Sequence, residues 1–192
     1  MKNDKIYPEI LSMVLITQVS EGLKADLQLS EEHTSCAVIT ATIDDFVFLA
    51  LDEATKKADV DVTYTGSFYG GNPNSSSKLQ GEGIGIFAGK TVASVQAAID
   101  AIYDFYDSRR VYAVSCNDED SIAYLTYTAA SVGTYFAKTM DIPLGCSMAY
   151  LVGPPIESIY AADAADKASN AKMVRFYTPP TVLQSVRPPS SD

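Results

Sequence analysis

The sequence predicts a layered α+β fold built from two tandem units. Three observations carry that expectation. Thr40–Asp61 and Leu151–Lys172, offset by 111 positions, share a pattern of apolar strand, helix with small residues on one face, and apolar strand. Asp52 falls on Asp163, Ala54 on Ala165 and Lys56 on Lys167. Short apolar runs alternate with stretches of helical spacing along most of the chain. Finally, 47% of the 192 residues are hydrophobic, which is enough to fill a core.

The elements follow in order. Glu9–Val19 reads as a strand, and Ser20 caps a short helix through Leu29 with Leu23 and Leu27 on one face. Cys36–Thr42 is a second strand. Asp44 and Asp45 open a helix that carries Phe46, Leu49, Ala50, Glu53, Ala54 and Lys57 at helical spacing. Val60–Tyr69 alternates as a strand and runs into the polar loop Gly70–Lys78. Glu82–Ala88 is the return strand. Thr91 caps an amphipathic helix whose core face is Val95, Ala98, Ile99, Ile102 and Phe105.

The second unit starts with a strand at Arg110–Ser115. Asn117, Asp118 and Asp120 then open a long helix striped by Ile122, Leu125, Ala129, Val132 and Phe136. Met148–Val152 is a strand. Pro154 and Pro155 start a helix, and Lys172–Thr178 is a last strand. The expected domains are 1–108 and 109–192, with an irregular tail over 179–192. The second unit lacks counterparts of the first unit's last strand and helix.

The net charge of −10 is concentrated in residues 1–108, where 16 acids face 7 bases. Such a surface lacks the basic patch that nucleic acids need, and a small cation or an acidic face turned to solvent suits it better. No apolar run reaches the ~18 residues of a membrane span, and no signal segment is visible. Cys36, Cys116 and Cys146 are isolated and read as reduced thiols. His33 has no partners at metal-ligand spacing and reads as a solvated turn residue. Gly81-Glu-Gly-Ile-Gly lacks the lysine and helix context of a phosphate loop. No serine or cysteine has the surroundings of a nucleophile. The sequence therefore implies no catalytic residues, no metal and no cofactor.

Leu51–Tyr64, Gly133-Thr-Tyr-Phe and Cys146–Tyr160 closely resemble the large tandem-domain shell proteins (L subunit) of ethanolamine-utilization bacterial microcompartments. The likeness runs from about Ile6 to Pro180, with its motifs in the family's order. It implies two circularly permuted shell domains per chain and no enzyme activity. It implies a homotrimer that mimics a hexagon and tiles with neighbouring shell proteins around enzymes, in the cytoplasm, with pores for small metabolites such as ethanolamine. After Pro180 the sequence departs from the family's closing strand and helix, which leaves the second domain short and the central pore's gate in doubt.

The acids Asp44, Asp45, Glu82 and Asp118 lie at expected sheet ends, where carboxylates can bind an ammonium group. The residues alone favour helix capping for Asp44, Asp45 and Asp118 and solvation for Glu82. The resemblance adds the lining of a small pore within each subunit. Tyr69, Gly70 and Gly71 are pore-loop candidates or part of an ordinary hairpin. Lys56 and Lys57 read as helix-end charges, to which the resemblance adds contact with neighbouring tiles. The competing function is a soluble module that senses an amine or cobalamin.

Overall fold

The computed structural model describes residues 1–67 and 82–177. In order, the elements are β1 (Lys5–Ile6), β2 (Ile10–Ile16), α1 (Glu21–Asp26), β3 (Ser35–Thr42), α2 (Asp44–Lys57), β4 (Asp61–Ser67), β5 (Glu82–Gly89) and α3 (Val92–Asp107). They continue with β6 (Ala113–Ser115), β7 (Ala123–Ala129), α4 (Thr134–Met140), β8 (Met148–Val152) and α5 (Pro155–Ala168). The fold is α+β with two four-stranded antiparallel sheets, ordered β2-β3-β5-β4 and β1-β6-β7-β8. β1, from the start of the chain, therefore extends the sheet formed by the later strands.

Local chemistry explains most boundaries. The Ser20 and Thr91 hydroxyls cap α1 and α3 by accepting from Leu23 N and Ser94 N. Pro155 begins α5, where its missing N–H costs no intrahelical bond. Gly83 and Gly85 on β5 let α2 lie against the sheet. A Cβ at Gly83 would come within 2.7 Å of Asp44 Cα, and one at Gly85 within 2.6 Å of Leu51 Cδ1. Close packing thus accounts for two glycines of the Gly81–Gly85 run.

α2 is the hub. Nine of its fourteen residues are buried, and it packs on β3, β4, β5, α3 and α4. The main apolar core extends from Ile39, Phe46 and Phe87 on one side to Leu125, Val132 and Phe136 on the other. The join between the sheets is polar and specific. The Gly133 amide donates to Asp52 Oδ2 at 2.8 Å, and the Phe136 amide donates to Oδ1 at 2.9 Å. The Lys56 ammonium bonds Glu53 and the Ser131 carbonyl and lies 3.5 Å from Asp52. Asp52 is only 1% exposed, so its carboxylate spans the join out of water.

Three expectations are corrected. The segment after Asn117 is not a long helix. It forms a turn, then β7, and only Thr134–Met140 is helical. Leu125 and Ala129 are buried from a strand, while Tyr124, Thr126 and Thr128 point outward. The second half therefore runs strand, strand, helix, strand, helix. Residues 171–177 carry no regular structure where Lys172–Thr178 was expected to be a strand, and Thr178 lies outside the described residues. His33 is not a solvated turn residue. It is buried, its Nδ1 accepts from Ser30 N, and its Nε2–H therefore donates to Asp61 Oδ2 at 3.2 Å.

The repeat is visible in the structure, since the bounds of α2 shifted by 111 are those of α5. Yet α5 buries none of its residues. Of the two helix-end lysines, Lys56 is occupied inside the chain.

The polar join predicts the effect of two substitutions. Gly133→Ala places a Cβ 2.3 Å from Thr55 Oγ1 and 2.4 Å from the Asp52 carbonyl oxygen. Asp52→Ala strips two buried amides of their acceptor. Each should destabilise by about 2–4 kcal/mol, measured as a lower urea midpoint.

Candidate acidic site

The site forms where β3 ends, α2 begins and β5 begins. Thr42 and Glu82 are register partners, as are Ala41 and Gly83, and the Gly83 backbone abuts Asp44. The structure therefore brings Asp44, Asp45 and Glu82 to one sheet end. Ile43, the residue before the helix, has φ 59 and ψ 98. A positive φ is a true outlier for a β-branched residue, so the turn that presents the two aspartates is held under strain.

The aspartates are more than caps. Asp44 is buried, and its Oδ1 accepts from the Asp45 amide, while the Ser67 side chain supplies a second hydrogen bond. Asp45 is not capping the helix. Its Oδ1 accepts from the Tyr150 hydroxyl at 2.6 Å, across 105 positions of sequence, so β8 contributes to the site. Sequence reasoning missed Tyr150, and no local signal marks it. Phe136 stacks on the Tyr150 ring and fixes it.

Burial governs the protonation of this pair. Loss of water raises Asp44 above the usual carboxylate range. Asp45 is pushed up to about 7, chiefly by burial and then by the neighbouring Asp44 charge, while the Tyr150 hydrogen bond opposes the rise. Asp118 does not join them. It lies in the β6–β7 turn, exposed, where its Oδ1 accepts from the Lys2 amide. Tyr69, Gly70 and Gly71 lie outside the described residues. Among the described residues no group of three or more His, Cys, Asp or Glu side chains is placed to hold a metal. The three cysteines are free thiols. No helix among these residues is long and apolar enough to cross a membrane. A recess lined by Arg110, Tyr112, Val114, Tyr124 and Thr126 includes none of the acids.

The Asp45 shift predicts a pH dependence of stability. Its folded value of about 7 lies above the unfolded value near 3.9, so the folded chain keeps a proton that the unfolded chain sheds. That contribution is complete below about pH 4 and is lost as pH rises through 7. Asp45→Asn should flatten the decline and raise the melting temperature at pH 8 by several degrees. A calorimetric series from pH 4 to 8 on both proteins checks this.

The comparisons with known proteins agree with this architecture. Residues 35–115 match the BMC domain family. The bacterial microcompartment shell protein EutL of Clostridium perfringens is 48% identical over 181 residues, which cover 94% of this chain and 83% of that one. The crystal structure of ethanolamine utilization protein EutL from Leptotrichia buccalis superposes with TM-score 0.86 at 45% identity, covering 96% of this chain and 85% of that one. PduB, described as a trimeric bacterial microcompartment shell protein, shares the fold at TM-score 0.64 and 15% identity, over 81% of this chain and 66% of that one. With its paired sheets, tandem arrangement and this level of identity, the chain belongs to the EutL family of bacterial microcompartment shell proteins, which is structural and not enzymatic.

Proposed function

We propose that the chain forms a trimeric, pseudohexagonal tile of the microcompartment shell, and that the Asp44–Asp45–Glu82 cluster lines a small pore for an ammonium metabolite such as ethanolamine. Two permuted shell domains, 1–108 and 109–192, supply the six corners of the tile. Among the described residues no counterparts of β4, β5 and α3 follow α5. The tile meets further copies and other shell proteins at its edges.

One observation carries the pore reading: two adjacent, water-depleted aspartates beside Glu82 at a sheet end. Such a pair is costly to ionise alone and gains from a cation that can donate several charge-assisted hydrogen bonds. Binding then drives protons off the pair, so affinity must rise as pH climbs through about 7. Glu82 adds a third carboxylate, whereas Asp118 would reach such a pore only from another part of the tile.

Titration calorimetry with ethanolamine tests the pore. The wild type should bind more tightly at pH 8 than at pH 6, with proton release into the buffer. Asp44→Asn and Glu82→Gln should each weaken binding by tenfold or more. Unchanged binding in both variants would reduce the acids to structural groups. Electron microscopy should show flat hexagonal arrays of the purified protein. Heat from cobalamin without any assembly would favour the sensor reading instead.

A further inference from the structure

The acid excess of the chain claims many of its cations. Lys24, Lys56, Lys90, Lys138 and Lys167 each pair with a carboxylate. Three cations around β1 and the start of β6 are used differently. Among the described residues Lys5, Arg109 and Arg110 form no ion pair. Lys5 Nζ lies over the Tyr112 ring, 4.2 Å from its centroid, and the Arg109 guanidinium lies 5.0 Å over Tyr7. The two rings meet edge to face at 5.9 Å. Arg109 itself has φ 50, in the left-handed region, at the turn out of α3. That turn sends consecutive arginines to different tasks. Arg109 covers Tyr7, and Arg110 reaches a recess on the outer face of the β1-β6-β7-β8 sheet.

The recess has a volume of about 180 Å³ and is lined by Arg110, Tyr112, Val114, Tyr124 and Thr126. Strand register builds it. Val114 lies opposite Tyr124, and Ala113 opposite Leu125. Ala113 and Leu125 are buried on the inner face, so their neighbours in sequence point outward. Tyr112 and Thr126 form the next outward pair, and Arg110 stands one outward step beyond. Among the described residues the Arg110 guanidinium and the hydroxyls of Tyr112, Tyr124 and Thr126 have no hydrogen-bond partner. The inner-face tyrosines differ, since Tyr127 and Tyr150 donate to Glu53 and Asp45. No carboxylate lines the recess.

We propose that this recess binds a small phosphate monoester, at a site separate from the acidic cluster. The planar guanidinium of Arg110 can meet two phosphate oxygens at once, and three hydroxyls remain to donate. A monoester presents three terminal oxygens, one more than a carboxylate, which suits donors arriving from both β6 and β7. Lys5 and Arg109 line no part of the recess but add positive potential beside it. Val114 offers an apolar wall to the carbon end of the ester. Size narrows the class further. The volume is the share of roughly six waters at ~30 Å³ each, somewhat more than a bare phosphate group fills. It is below the roughly 300 Å³ at which pockets for drug-sized ligands begin, so a nucleotide does not fit. A chain of net charge −10 thus carries one local site for an anion, opposite in preference to its buried aspartates.

Titration calorimetry on the full chain tests the site, with glycerol 3-phosphate as the monoester and inorganic phosphate as the second arm. Glycerol 3-phosphate should bind saturably, and inorganic phosphate should bind several-fold more weakly. Arg110→Gln should weaken the ester by about tenfold or more, and Arg110→Lys by less, because lysine keeps the charge and loses the fork. Tyr124→Phe should weaken it several-fold. Arg110 and Tyr124 are exposed, so melting followed by circular dichroism should stay unchanged in these variants. Lys57→Gln removes an equal charge at the exposed end of α2 and should bind as the wild type does. No saturation below ~10 mM overturns the proposal. So does equal affinity for inorganic phosphate, or an Arg110→Gln variant that binds no more weakly than Lys57→Gln.

Discussion

The Asp52 carboxylate holds the two sheets in register. Both oxygens are taken by backbone amides at the start of α4, and Lys56 balances the charge from one turn below. A buried carboxylate is tolerable only when its lone pairs are filled, and here they are filled by groups that cannot be mutated away. The bond is short in space and long in sequence, spanning more than 80 positions. It therefore converts two separately plausible sheets into one body. Because Asp52 sits on α2, the same helix that packs on β5 also sets where β7, α4 and β8 stand.

The acidic site inherits its geometry from that arrangement. Asp44 is fixed by β4 and β5 on its own side. Asp45 is fixed by Tyr150, which arrives from the far sheet across the same join that Asp52 spans. The strained Ile43 turn places both carboxyls at the helix start, where the dipole favours negative charge, while burial opposes it. Near neutral pH these influences leave Asp45 poised between its two states. A carboxyl balanced in this way is more sensitive to a neighbouring charge than an exposed aspartate.

Much of this was legible in the sequence, and the exceptions have causes. Thr91 and Ser20 mark helix starts because capping chemistry is local, and the Asp44–Asp45 pair marks one because acids suit a first turn. β7 was misread as helix because Leu125, Ala129, Val132 and Phe136 are spaced by three and four, although they belong to a strand, a loop and a helix in turn. Tyr124, Thr126 and Thr128 gave the competing strand signal, muted because an outward tyrosine resembles an inward one. Tyr150 and His33 owe their roles to partners 105 and 28 positions away, which no periodicity reveals. Asp118 looked like a helix-opening acid only because the helix after it was expected. Its carboxylate instead belongs to a hairpin turn beside the chain's first residues.

Gly133 has no side chain, so α2 lies almost on its backbone, whereas the corresponding cap of α1 is a serine. One methylene and a hydroxyl must fit wherever a helix approaches Ser20. The two matching corners of the chain are therefore not interchangeable: a helix can lie closer to the α4 cap than to the α1 cap.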